Sequence, residues 1–145
     1  MSFLGKAIAI AAAAHQEQID RNGFPYILHP IRMMLRMDTE TEMMAAVLHD
    51  IIEDTSWTLE KLESEGIPGE VLDLVERLSR VDNQSYEEFI ERIKEDQTAI
   101  KIKLADLEDN MDMRRLSGIS TEDINRLKRY HHYWSILRKK IQSRT

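Results

Sequence analysis

Apolar residues recur along this chain every three or four positions, and the polar residues between them fall on the opposite arc, as in amphipathic helices. The stretch organising the rest is Ala45–Thr55, Ala-Ala-Val-Leu-His-Asp-Ile-Ile-Glu-Asp-Thr. At about 100° per residue it divides into two faces. Met44, Val47, Leu48, Ile51 and Ile52 make an ordinary core stripe. His49, Asp50, Glu53 and Asp54 instead set an imidazole beside three carboxylates. Carboxylates one turn apart repel in a plain helix. A cation between them reverses that sign.

The same periodicity predicts helices through nearly the whole chain. The first runs from Phe3 to about Asp20 and stops before the turn signal Asn22-Gly23. Phe24–Leu28 reads as an irregular linker, and Pro30 suits the first turn of a helix through about Arg36. Asp38 or Thr39 caps the central helix, with Glu42 as capping-box partner to Thr39, and Thr55-Ser56 ends it. Thr58 caps Leu59–Ser64, Gly66 closes it, and Pro68 opens a helix from Gly69 to Arg80. Ser85 caps a helix carrying Tyr86, Phe89, Ile90 and Ile93. Ala99 to about Leu116 is another, broken by Ser117-Gly118. Ser120 or Thr121 caps the last, Glu122–Ile141, with Ile124, Leu127, Tyr130 or His131, Trp134 and Leu137 inward. There is no useful β alternation and no internal repeat. The expectation is an all-α single domain over residues 1–145.

Composition narrows the function. Apolar residues make up 42% and charged residues 32% of the 145, a soluble globular balance. A net charge of −6 argues against broad nucleic-acid or anionic-membrane binding. Without cysteine there is no thiol nucleophile, thiolate ligand or disulfide, which fits a reducing, cytoplasmic compartment. No apolar run reaches the ~18 residues of a membrane helix, and the alanine-rich Ala7–Ala14 reads as helix rather than leader.

His49-Asp50 could hold one divalent ion, with Glu53 and Asp54 placed to accept a proton from an adjacent water and to orient it. The competing reading is a solvated acidic face. His29 is either a ligand or a helix-start residue. Lys103, Asp106 and Asn110 share one face at i, i+3 and i+7, as a cation, a ligand and an amide, or simply as the outer face of an amphipathic helix. His15 reads as a structural residue on the rim of the first helix, and His131-His132 as packing and surface. The eight methionines read as core filler.

Together these pieces resemble the HD-domain metal-dependent phosphohydrolases, and more closely the RelA/SpoT hydrolase domain and the small alarmone hydrolases. The resemblance lies in Gly23–Pro30, Ala46–Thr55, Lys103–Asn110 and the last helix with Tyr130. It implies an all-α bundle of about eight helices and a Mn²⁺-dependent enzyme. By position it implies the ligands His29, His49, Asp50 and Asp106 and the catalytic pair Glu53 and Asp54. It implies nucleotide contacts from Lys103, Asn110 and Tyr130, with Tyr26 beside them and Arg21 as the basic residue before the turn. In the family, the 3′-diphosphate of guanosine tetra- or pentaphosphate leaves as pyrophosphate.

Two departures bear on base recognition. Asp20-Arg21 stands where the family has two basic residues, and Asp112 stands where it has an arginine. The substrate could then be an adenosine alarmone. Other options are a phosphatase acting on a nucleoside monophosphate or a nicotinamide dinucleotide phosphate, and a non-catalytic nucleotide sensor. No synthetase domain fits beside this one in 145 residues. Oligomeric state is open, a homodimer among the options.

Overall fold

The Thr39 hydroxyl accepts from the Glu42 N–H, while the Glu42 carboxylate accepts from the Asp38 and Thr39 N–H groups. This reciprocal cap starts α3 (Glu40–Leu48), the helix at the centre of the molecule. The computed structural model describes residues 2–142. Around α3 lie α1 (Leu4–Ala14), α2 (Leu28–Met34), α4 (Ile51–Asp54), α5 (Leu59–Ser64), α6 (Gly69–Arg77), α7 (Tyr86–Ile93), α8 (Gln97–Asn110) and α9 (Thr121–Gln142), with a 3-10 turn at Met113–Arg115. The described residues contain no strand, only an isolated bridge between Ile19 and Pro25. None of their helices is long and apolar enough to cross a membrane.

Met44 through Leu48 are all buried, so α3 has no solvent face along its second half. It packs against α1, α2, α6 and α8. Ala7 and Ala11 on α1 and Ala45 and Ala46 on α3 are fully buried, and such small side chains let two helices approach closely. Leu48, Ile51, Ile100, Ile102, Leu107 and Leu137 fill the middle. Each such aliphatic side chain adds roughly 1.5–3 kcal/mol relative to leaving it in water. α8 is not the half-solvated helix its charges suggest. Lys103, Asp106 and Asp109 are buried along with its aliphatic residues.

Several ends differ from the predicted ones, each for a visible reason. α1 stops at Ala14, well before Asp20, because residues 18–26 fold back on themselves. The Tyr26 N–H donates to the Gln18 carbonyl (2.9 Å) and the Asp20 N–H to the Phe24 carbonyl (2.8 Å). Gly23, at φ 83°, makes the reversal, a conformation open mainly to glycine. α6 ends at Arg77 rather than Arg80, where Arg92 Nη2 donates to the carbonyls of Glu76, Arg77 and Ser79. α8 starts at Gln97 behind an Asp96 cap and ends at Asn110, and Asp112 then caps the 3-10 turn. Ile124 is exposed, because Ser120 and Asp123 cap each other at the start of α9 and turn Asp123 inward instead.

The central helix is not continuous. The Ala46 carbonyl, which an unbroken helix would pair with the Asp50 N–H, accepts from the His49 N–H (3.3 Å) and from His49 Nδ1 (2.8 Å). The chain therefore turns at His49-Asp50 between α3 and α4.

Burial works to raise the Glu42 pKa, but the Lys101 ammonium at 2.7 Å and the Asp38 and Thr39 N–H groups hold it below the ordinary glutamate value. A depressed folded-state pKa adds stability that is present above the unfolded-state pKa and lost as pH falls through the depressed value. Glu42→Gln, which can still form the cap, should therefore destabilise at neutral pH and lose that penalty in acid. Thr39→Ala should cost about 1 kcal/mol. Urea melts at neutral and acidic pH measure both, and a Glu42→Gln penalty that ignores pH contradicts the charge assignment.

Candidate metal centre and active site

Three elements meet at one buried point. His29 sits in the first turn of α2, held by Pro30 at the helix start. His49 and Asp50 sit at the break between α3 and α4, and Asp106 lies mid-way along α8. One donor atom each from His29, His49 and Asp50 can be chosen so that all lie within 4.8 Å of one another. Asp106 Oδ1 borders this group, 2.9 Å from His29 Nε2 and 3.6 Å from His49 Nε2. The break that ends α3 also aims His49: with Nδ1 donating to Ala46, Nε2 faces the carboxylates. That buried Nε2 lies 3.0 Å from Asp50 Oδ2 yet makes no hydrogen bond. An imidazole nitrogen without a hydrogen-bond partner among carboxylate oxygens is what a divalent cation would satisfy. Two histidines and two aspartates suit Mn²⁺, Fe²⁺, Co²⁺ or Zn²⁺.

A second layer holds these groups. Lys103 Nζ donates to Asp106 Oδ2 at 2.7 Å and lies 5.5 and 5.3 Å from the Tyr86 and Phe89 ring centres. Asn110 Nδ2 donates to Asp106 Oδ1 at 3.2 Å. The Tyr26 hydroxyl donates to Asp50. His29 Nδ1 lies 2.6 Å from Asp109 Oδ2, and Arg32 grips Asp109 with Nε and Nη2 at 2.8 and 3.0 Å.

Electrostatics follow from this crowding. Burial opposes charge on both histidines, but the carboxylates around them win, raising His29 and, well above its usual value, His49. Burial pushes Asp106 up, and Lys103 and the two imidazoles more than reverse it, to well below the carboxylate range. A cation bound in this group would compete with protons for the imidazole nitrogens. Burial, then repulsion from Asp50, raises Glu53 and Asp54, which moves both toward the range useful for proton transfer.

Several of the remaining sequence-predicted residues divide between two openings, while Asp54 is exposed and lines neither. Arg21, Tyr26, Asn110 and Tyr130 line a cleft of about 110 Å³ that reaches His29. Arg32, Arg115 and Arg126 line it too, each paired with an aspartate, while Arg21 is exposed at its edge. Glu53 lines a separate cleft of about 660 Å³ with Ile52, Arg80 and Asn83. Lys103 lies buried beneath Tyr86 and lines neither. A further cleft, about 710 Å³ beside Thr39, Asp73 and Arg92, contains none of these residues.

His15 is buried rather than on a rim, its ring centre 5.0 Å from that of Tyr26. His131 and His132 are exposed on α9. Asp109 and Arg32 escaped the reading of the sequence. The available signal was spacing, since His29–Arg32 and Asp106–Asp109 are both i,i+3 pairs on facing helices.

The HD domain family matches residues 7–127. This chain belongs to that family. The HD domain is 33% identical over 142 residues to the bifunctional (p)ppGpp synthase/hydrolase SpoT of Escherichia coli K12, covering 87% of this chain and 20% of the relative. It is 35% identical over 118 residues to the guanosine-3′,5′-bis(diphosphate) 3′-pyrophosphohydrolase of Haemophilus influenzae, covering 70% of this chain and 17% of the relative. The chain thus spans a fifth or less of these relatives' length. Its fold matches a solved metazoan ortholog of SpoT, described as hydrolysing ppGpp, with a TM-score of 0.77 at 24% identity, covering 99% of this chain and 93% of that one.

Asp50→Asn and Asp106→Asn should both weaken divalent-cation binding by the metal-stripped protein, measured by calorimetry. Only Asp106→Asn leaves the buried Lys103 ammonium unpaired, so it alone should cost ~3–5 kcal/mol of stability. Equal melts for the two variants contradict that pairing.

Proposed function

We propose that this HD domain is a Mn²⁺-dependent pyrophosphohydrolase, acting in the cytoplasm, that removes the 3′-diphosphate from an alarmone nucleotide. The observation carrying this reading is the buried group of His29, His49, Asp50 and Asp106 with Glu53 and Asp54 one turn beyond it. A divalent cation held by those four residues supplies Lewis acidity toward a phosphate oxygen and a nearby water. Glu53, its pKa raised, takes the proton of the attacking water, and Asp54 orients that water. Tyr26 keeps Asp50 directed at the cation, and Lys103 and Asn110 do the same for Asp106. The cleft edged by Arg21 and Tyr130 receives the nucleoside, which leaves its 3′ end toward His29. The names of the bacterial relatives support guanosine as the base.

A second reading, an adenosine alarmone, draws on the acids at that cleft. Asp20 and Asp112 both line it where the family carries basic residues. Asp20 Oδ1 is occupied by the Asn22 and Phe24 N–H groups, and Asp112 is held at a pKa of about 2, chiefly by the Arg114 guanidinium. Neither carboxylate can stack on a base as an arginine does. A pure sensor has no use for the raised carboxylate pair.

Metal-stripped protein given Mn²⁺ should release pyrophosphate from guanosine 3′-diphosphate 5′-diphosphate, with the adenosine analogue run in parallel to read base choice. Orthophosphate release alone would replace the reading with a phosphatase, and no release from either nucleotide would sink it. Glu53→Gln should keep Mn²⁺ affinity while losing ~10²–10⁴-fold in turnover. An unaltered rate removes Glu53 from the role of base.

A further inference from the structure

The metal centre has a clamp on its outer side. His29 and Arg32 lie one turn apart on α2, and Asp106 and Asp109 one turn apart on α8. The two pairs interlock. The His29 ring is held between the two carboxylates, Nε2 at 2.9 Å from Asp106 and Nδ1 at 2.6 Å from Asp109. Asp109 is held in turn between His29 and the Arg32 fork at 2.8 and 3.0 Å. Arg115 Nη2 adds a hydrogen bond to the Asp109 carbonyl at 2.8 Å. Asp109 is buried, so its charge is tolerated only with these partners in place.

We infer that Asp109, clamped by Arg32, is a positioning residue for the metal centre: it accepts the Nδ1–H of His29 and so turns the Nε2 lone pair toward the cation. An imidazole has two nitrogens, and the hydrogen bond made by one decides which the other can be. A carboxylate on Nδ1 fixes the ring plane, selects the tautomer and raises the basicity of Nε2. Asp109 is not one of the four candidate ligands and acts on the cation only through the His29 ring. Asp109 lines the cleft that reaches His29 together with Arg32 and Arg115, and it holds both, Arg32 through its carboxylate and Arg115 through its backbone carbonyl. This inference rests on the metal-centre reading and is independent of which nucleotide is cleaved.

The test is calorimetric titration of metal-stripped protein with Mn²⁺ alone, beside thermal melts of the same metal-free samples. Asp109→Asn keeps the shape but removes the charge, and should weaken Mn²⁺ binding ~10–100-fold. Arg32→Gln loosens the clamp without emptying the Nδ1 contact and should weaken binding by less. A lower melting temperature with Mn²⁺ affinity within about twofold of wild type would mark Asp109 as merely structural and overturn the inference. If Asp109→Asn does not fold, Arg32→Gln decides, and an unchanged affinity there overturns the inference as well. Wild type that binds no Mn²⁺ overturns it together with the metal centre. Wild type that binds Mn²⁺, weakens as stated in the variants and cleaves no alarmone supports the clamp while removing the proposed reaction.

Discussion

The Asp106 carboxylate is the charge on which the arrangement depends. It is buried in the middle of α8, where an unpaired ion is not tolerated. Lys103, His29 and Asn110 lie within 3.2 Å of it, and His49 stands 3.6 Å away. These partners come from α2, from the end of α3 and from α8 itself. Satisfying one carboxylate therefore fixes how three elements meet. Lys103 is under the same constraint, since burial opposes its ammonium and Asp106 outweighs burial to hold its pKa above the ordinary lysine value.

This pairing is a poor way to gain stability. Replacing a buried ionic cluster by well-packed apolar residues is often neutral or favourable. Here two imidazoles, two aspartates and a lysine occupy the place where an all-helical domain would otherwise put aliphatic side chains. The surrounding core offsets the cost through the fully buried Leu48, Ile51, Ile102 and Leu107. The break at His49 belongs to the same compromise. The ring nitrogen takes a carbonyl that the helix ladder would have used, and the chain gives up continuity to aim Nε2 at the carboxylates. Local rules are broken at the candidate site, a departure that functional sites commonly show.

Much was legible in the residues. The capping box at Thr39 and Glu42 and the caps at Thr58 and Ser85 stand where spacing predicts them. Lys103, Asp106 and Asn110 do share a face, and the four candidate ligands do converge. The clamp of Asp109 and Arg32 was not legible, because nothing local says that α2 and α8 lie side by side in register. The interruption at His49-Asp50 was hidden for a related reason: the apolar stripe continues unbroken through Ile51 and Ile52.

By itself, the sequence determined the helical periodicity and most of the caps. Those depend on neighbours within one turn, and such interactions are written in the order of the residues. The tertiary structure alone decided where α1, α6 and α8 end, which charges are buried and which opening each functional side chain lines. Arg92 closing α6 from α7, and Asp109 reaching His29 across from α8, join residues far apart in the chain. Such contacts arise only once apolar burial has brought the helices together, so no short-range pattern encodes them.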